Sequence, residues 1–146
     1  MKNLTEIIRE ALQLPNAEVK NLGIIGGMTN LNYLVSIDSR NFIVRVPGNG
    51  TDALINRFEE MQNLKLGSEL GINPELCYFN LETGLKITEK IENATILTPV
   101  IAKKEEMMKK VATIFRTLHK SPEKMTNRFK LFELMDIYEQ LALQAG

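Results

Sequence analysis

Three runs of residues with high β-strand propensity follow one another closely in the amino-terminal half of the chain. The runs cover residues 19–25, 30–37 and 41–46, and they are separated by Gly26-Gly27 and by Asp38-Ser39-Arg40. Glycine, aspartate and serine are common turn residues, so the pattern predicts three consecutive antiparallel strands. A sheet must therefore lie at the centre of the fold.

A helix is predicted before these strands. Asn3 and Glu6 have the spacing of a capping box, and Pro15 ends the segment. Between them lies an apolar stripe formed by Ile7, Ile8, Ala11 and Leu12. The stripe predicts a short amphipathic helix that packs against the sheet.

A second helix and a second hairpin are predicted after the strands. Thr51-Asp52 is typical of a helix start, and the helix should end near Gly71. The residues expected to face the core are Leu54, Phe58 and Met61. Residues 76–79 and 85–91 predict two further strands, joined by a turn at residues 80–84. The expected fold has five strands around one packed helix.

The carboxyl-terminal third changes to helical periodicity. Thr98-Pro99 predicts the start of a helix that runs to about Lys120, where Ser121-Pro122 interrupts it. A last helix is predicted over residues 127–143. Two helices therefore follow the sheet.

The composition excludes several classes of partner. The 146 residues include 18 Lys or Arg and 18 Asp or Glu, so no overall charge attracts the chain to nucleic acid or to an anionic membrane. No run approaches the ~18 apolar residues that a bilayer span needs. Cys77 is the single cysteine, which favours a reducing, cytoplasmic setting.

The Gly26-Gly27 turn is the first candidate for ligand binding. Without a Cβ, its backbone N–H groups can approach phosphate oxygens, although a tight hairpin without a ligand would use the same residues. Thr29 and Asn30 place side-chain donors at the tip and favour the phosphate interpretation.

Arg45 is the second candidate, because it interrupts an apolar strand. Alternation places its side chain on the face opposite Val44 and Val46, where it could hold the α- and β-phosphates of a nucleotide. Such a cation needs a carboxylate, and Glu60 on the following helix is chosen over Glu59. In the alternative interpretation, both glutamates are surface charges and Arg45 extends to solvent from an edge strand.

Several segments together resemble the amino-terminal lobe of bacterial choline kinases, in the choline/ethanolamine kinase family. They are Gly-Gly-Met-Thr-Asn at 26–30, Ile-Val-Arg-Val-Pro-Gly at 43–48, Leu-Ile-Asn-Arg at 54–57 with Glu60 and Asn63, and Ile-Thr-Glu-Lys-Ile-Glu at 87–92. The family is similar in fold to protein kinases and aminoglycoside phosphotransferases. The resemblance implies an α+β kinase-like N-lobe, with an amino-terminal helix and the first two helices of a second lobe.

The resemblance also assigns roles. Residues 26–30, including Met28, would form the phosphate loop, Arg45 the phosphate clamp and Glu60 its partner. The strand with Glu89, Lys90 and Ile91 would contact adenine. The implied reaction uses ATP and Mg²⁺ to phosphorylate choline or a similar small amino alcohol. The family usually has glycine where Asn93 stands, in the linker.

The implied domains are an ATP-binding lobe at 1–92, a linker at 93–98 and the helical start of a truncated second lobe at 99–146. In the family, the catalytic aspartates and the Mg²⁺ ligands lie in the second lobe. No catalytic or metal-binding residue is expected in this chain, which is predicted to be inactive alone. Its uncovered helices predict a homodimer or a sticky monomer. The alternative is a non-catalytic protein-interaction module that keeps the lobe fold.

Overall fold

The computed structural model describes residues 3–27, 29–51, 55–125, 128 and 130–145. Five strands form one antiparallel sheet in the order β1-β2-β3-β5-β4 within these residues. The strands are β1 (Val19–Gly26), β2 (Asn30–Ile37), β3 (Arg40–Pro47), β4 (Leu76–Phe79) and β5 (Lys86–Glu89). The predicted five-stranded antiparallel sheet is confirmed.

Helix α1 (Leu4–Ala11) covers one face of the sheet. The capping box is present, since the Glu6 N–H donates to Asn3 Oδ1 at 2.9 Å and the Asn3 N–H donates to Glu6 Oε2 at 3.1 Å. Ile8 is fully buried in a cluster with Val44 and Ile87. This apolar core stabilises the sheet from the side that α1 occupies.

Helix α2 (Arg57–Glu69) begins later than residues 51–52, where the sequence predicted its start. The Asn56 side chain caps it by accepting the N–H groups of Phe58 and Glu59. This start turns Arg57 inward, while Phe58 is 56% exposed and does not face a core as predicted. The predicted positions 52 and 54 lie outside the described residues.

The predicted helix from Thr98 to Lys120 is divided into α3 (Pro99–Ala102) and α4 (Glu105–Lys120). Lys104 takes an extended conformation between them, and the acidic residues at 105 and 106 suit a new helix amino terminus. Helix α5 (Leu131–Ala145) starts four residues after the predicted position 127, which lies outside the described residues, as does residue 129. None of the described helices has both the length and the apolar composition for crossing a bilayer.

The register of β3 places an apolar side chain and a charged side chain on opposite faces of the sheet. Val44 pairs with Tyr33 and with Ile87, and it is completely buried in the core on the α1 side. Its neighbour Arg45 therefore projects from the opposite face, towards α2. That second face carries the candidate site.

Candidate functional site

The glycine turn between β1 and β2 is tightly folded. Gly26 and Gly27 have φ values of +127° and +139°, which disfavour any side chain. A Cβ on Gly27 would overlap the Asn30 carbonyl oxygen, and the Asn32 side chain donates to the Gly26 carbonyl at 3.0 Å. The backbone at the tip of this turn is therefore closely packed. Met28 lies outside the described residues.

The tip of the turn rests on the end of β3. A Cβ on Gly48 would overlap the Thr29 carbonyl oxygen, so the backbone at Gly48 and at Thr29 is in direct contact. Asn30 Nδ2 lies 3.4 Å from Thr29 Oγ1, and Asn30 Oδ1 is buried with no hydrogen-bond partner among the described residues. Sequence reasoning did not assign a role to Gly48, whose contact partner is 19 residues away in the chain.

Arg45 and Glu60 form an ion pair on the face of the sheet that is opposite the core. Their side chains are only 11% and 16% exposed. A second guanidinium nitrogen, Arg45 Nη2, donates to the Gly84 carbonyl at 2.9 Å. The structure therefore brings the two residues together in a partly buried position, while their role in nucleotide binding stays a prediction.

Arg57 completes this network, and sequence reasoning missed it. Its guanidinium donates to Glu60 Oε2 at 3.0 Å and to Thr51 Oγ1 at 2.7 Å, and its side chain is 7% exposed. The i,i+3 spacing of Arg57 and Glu60 was the available signal. Arg57 ties the segment after β3 to helix α2 and fixes the second carboxylate oxygen of Glu60.

The electrostatics of Glu60 favour the ionised form. Burial acts to raise the pKa of its carboxyl group, but the hydrogen bonds and positive charges of Arg45 and Arg57 outweigh burial. The pKa of Glu60 therefore lies below its ordinary value. At neutral pH this single carboxylate accepts hydrogen bonds from both guanidinium groups.

The expected adenine-binding strand lies further along the sheet, away from this network. Glu89 is opposite Phe42 in the register, so its side chain lies on the core-side face, where it pairs with Arg40. Lys90 Nζ pairs with Glu92 Oε2 at 2.6 Å, and Ile91 is 56% exposed. The structure does not bring these side chains to Arg45, and their role in adenine binding stays a prediction.

Asp38 and Asp136 are the aspartates among the described residues. Asp38 lies in the turn between β2 and β3 with φ +46°, and its Oδ1 accepts the Glu18 N–H at 2.9 Å. Asp136 lies on an exposed face of α5. Neither approaches Arg45 through a hydrogen bond or ion pair in the described part of the chain.

The glycine turn joins β1 to β2, and Arg45 and Glu60 are paired on the sheet face opposite the core. A family model described as choline/ethanolamine kinase matches residues 22–144. The chain belongs to the choline/ethanolamine kinase family. The predicted kinase-like α+β fold is thereby confirmed.

Relatives of this choline/ethanolamine kinase family chain include Protein LicA of Haemophilus influenzae, which is 31% identical over 109 residues. That alignment covers 75% of this chain and 32% of the relative. The crystal structure of choline kinase LicA from Streptococcus pneumoniae has a TM-score of 0.72 and 37% identity, covering 93% of this chain and 47% of its own. A crystal structure of LicA in complex with AMP has a TM-score of 0.78 and 35% identity, covering 96% and 50%.

The chain thus spans about a third of the Haemophilus protein and about half of the two LicA structures.

Asn93, where glycine was expected from the family, has φ +55°, a conformation that asparagine tolerates better than most residues. The backbone conformation at this position is therefore one that glycine also favours.

Proposed function

We propose that the chain is the nucleotide-binding lobe of a choline kinase-like phosphotransferase. The observation that carries this proposal is the partly buried Arg45–Glu60 ion pair on the sheet face opposite the core. A cation held by a helix carboxylate is the arrangement with which kinases grip the α- and β-phosphates of ATP. The AMP complex of a related LicA supports a nucleotide as the ligand.

The glycine turn covers the phosphates in this proposal. Backbone N–H groups at residues 26–30 approach the phosphate oxygens, and Arg45 supplies the positive charge below them. The backbone of residues 89–91 lies along the adenine. The lobe covers residues 1–92 and is joined by a linker at 93–98 to the helical segment at 99–146.

In the full-length enzyme, the hydroxyl oxygen of choline or a similar small amino alcohol attacks the γ-phosphorus of ATP. The bond to the β-phosphate oxygen breaks, ADP leaves, and an aspartate outside this chain takes the hydroxyl proton. Mg²⁺ would neutralise charge on the ATP phosphates in this reaction, and its protein ligands are proposed to lie outside this chain. This chain alone is inactive.

The free, half-buried thiol of Cys77 suits a cytoplasmic location.

Calorimetry with ATP and Mg²⁺ tests the clamp. Replacing Arg45 by alanine removes the cation that is proposed to contact the phosphates, so the affinity for ATP should fall about a hundredfold, roughly the value of two charge-assisted hydrogen bonds. Arg40→Ala is the matched control, because Arg40 lies on the same strand but its side chain is 69% exposed on the opposite face. Equal ATP affinities of the Arg45→Ala variant and the unsubstituted chain would reject Arg45 as the clamp.

The exposed apolar residues of the last helices favour a second candidate function, a non-catalytic protein-interaction module. Phe132 and Leu143 are 78% and 77% exposed, and they could bind a partner or a second copy of this chain. The two candidates differ in ligand dependence: the nucleotide-binding lobe requires Arg45 for ATP binding, whereas the module has no need of ATP.

A further inference from the structure

A row of residues crosses four strands of the sheet on the Arg45 face. Gly26 pairs with Asn32, Asn32 pairs with Arg45, and Arg45 pairs with Lys86. Directly opposite residues of antiparallel strands project from the same face, with Cβ atoms about 5 Å apart. The row therefore leads from the glycine turn through Arg45 to Lys86.

Lys86 is half-buried, and its ammonium group forms no ion pair or hydrogen bond with the described residues. The two oxygens of the nearby Glu60 carboxylate are already engaged, one by Arg45 and the other by Arg57. Burial and the adjacent charge of Arg45 lower the pKa of Lys86, against the opposing effect of Glu60. Like charges directly opposite each other destabilise a sheet, so an anion bound beside Arg45 and Lys86 would stabilise this pair.

We propose that Lys86 is a second phosphate-binding cation, which contacts the polyphosphate of the nucleotide together with Arg45. This inference rests on the proposed nucleotide-binding function. Two cations side by side match two successive phosphate groups better than a single carboxylate or a single phosphate. Lysine binds phosphate as a point charge, while Arg45 provides the directed guanidinium contacts.

The test compares ligands that differ in the number of phosphates. Binding of ATP, ADP, AMP and inorganic tripolyphosphate to the Lys86→Met variant is measured by calorimetry. We expect ATP and tripolyphosphate affinities to fall about tenfold, the value of one charge-assisted hydrogen bond, and AMP affinity to change less than about twofold. Lys86→Arg should retain most of the ATP affinity, because it keeps the charge.

Lys20→Met is the matched control, since Lys20 lies on the same sheet but its side chain is 62% exposed. Unchanged ATP affinity in Lys86→Met, with the Arg45→Ala loss still present, overturns the role of Lys86 and leaves the proposed function standing. Equal losses for AMP and ATP would show that Lys86 acts on folding, which also overturns it. If the unsubstituted chain binds neither ATP nor tripolyphosphate, both proposals are overturned.

Discussion

Gly84 is enclosed by two arginine side chains. Its carbonyl accepts a hydrogen bond from Arg45 at 2.9 Å, and a Cβ at this position would overlap the guanidinium of Arg57. Its φ of +71° lies in the left-handed region, which also favours glycine. Gly84 is therefore part of the network of Arg45, Arg57 and Glu60, although it carries no side chain of its own.

Substituting Gly84 by alanine should lower the free energy of unfolding by about 2–4 kcal/mol, because both the backbone strain and the overlap with Arg57 must be relieved. Gly71→Ala is the matched control, since Gly71 has φ +67° but open space around its Cβ position. It should cost about 1 kcal/mol. Urea denaturation measures both values, and equal losses in the two variants would contradict the overlap argument.

Alternation along β3 was enough to predict the face from which Arg45 projects, and Glu60 was chosen over its neighbour Glu59 on the following helix. The contact between Arg57 and Gly84 could not be found in this way. They are 27 residues apart, and their contact arises only when the turn before β5 folds over the start of α2. Local patterns give the direction of a side chain, whereas such a contact depends on the packing of distant elements.

The two glycines in the turn between β1 and β2 differ in the space around their Cβ positions. Both have φ values well inside the positive region, but only Gly27 has its Cβ position filled by the backbone of Asn30. The Cβ position of Gly26 is open. The two positions therefore separate backbone strain from close packing at the tip.

Gly27→Ala should displace the tip and reduce ATP affinity by a further factor of about ten compared with Gly26→Ala, because only the first substitution adds an overlap to the strain. Calorimetry measures the affinities, and circular dichroism melting establishes that both variants are folded. A Gly26→Ala loss as large as that of Gly27→Ala would contradict close packing as the cause.

The strands were predicted more closely than the helices. Turn residues bound four of the strands to within one residue, while the strand predicted at residues 85–91 ends at Glu89. The start of α2 depends on whether Thr51 or Asn56 acts as the cap. Asn56 accepts two backbone N–H groups, and Thr51 is instead engaged by Arg57. The break at Lys104 was missed because apolar periodicity continues across it.

At the scale of the molecule, several apolar side chains of α4 and α5 are exposed in the part of the chain that the structure describes. Ile114 and Phe115 on α4 are about half exposed, and Phe132 and Leu143 on α5 are more than three quarters exposed. Monomers rarely present such surfaces to water. We therefore expect that two copies of this chain, taken alone, pair through these helices.

Light scattering should show a mass that rises towards that of a dimer with increasing concentration. The double variant Phe132→Glu and Leu143→Glu should remain monomeric, because charges in an apolar interface are costly to desolvate. Phe58→Glu, which changes an exposed phenylalanine on α2, is the control and should behave like the unsubstituted chain. A monomer at all concentrations would contradict pairing.

The neighbouring positions of Val44 and Arg45 have a consequence for folding. A slip of β3 by one residue would force a guanidinium into the cluster around Ile8 and expose a valine in its place. Burying an unpaired cation there is so unfavourable that misaligned hairpins would reopen. Arg45, which is proposed to bind the nucleotide, therefore also disfavours incorrect registers of β3.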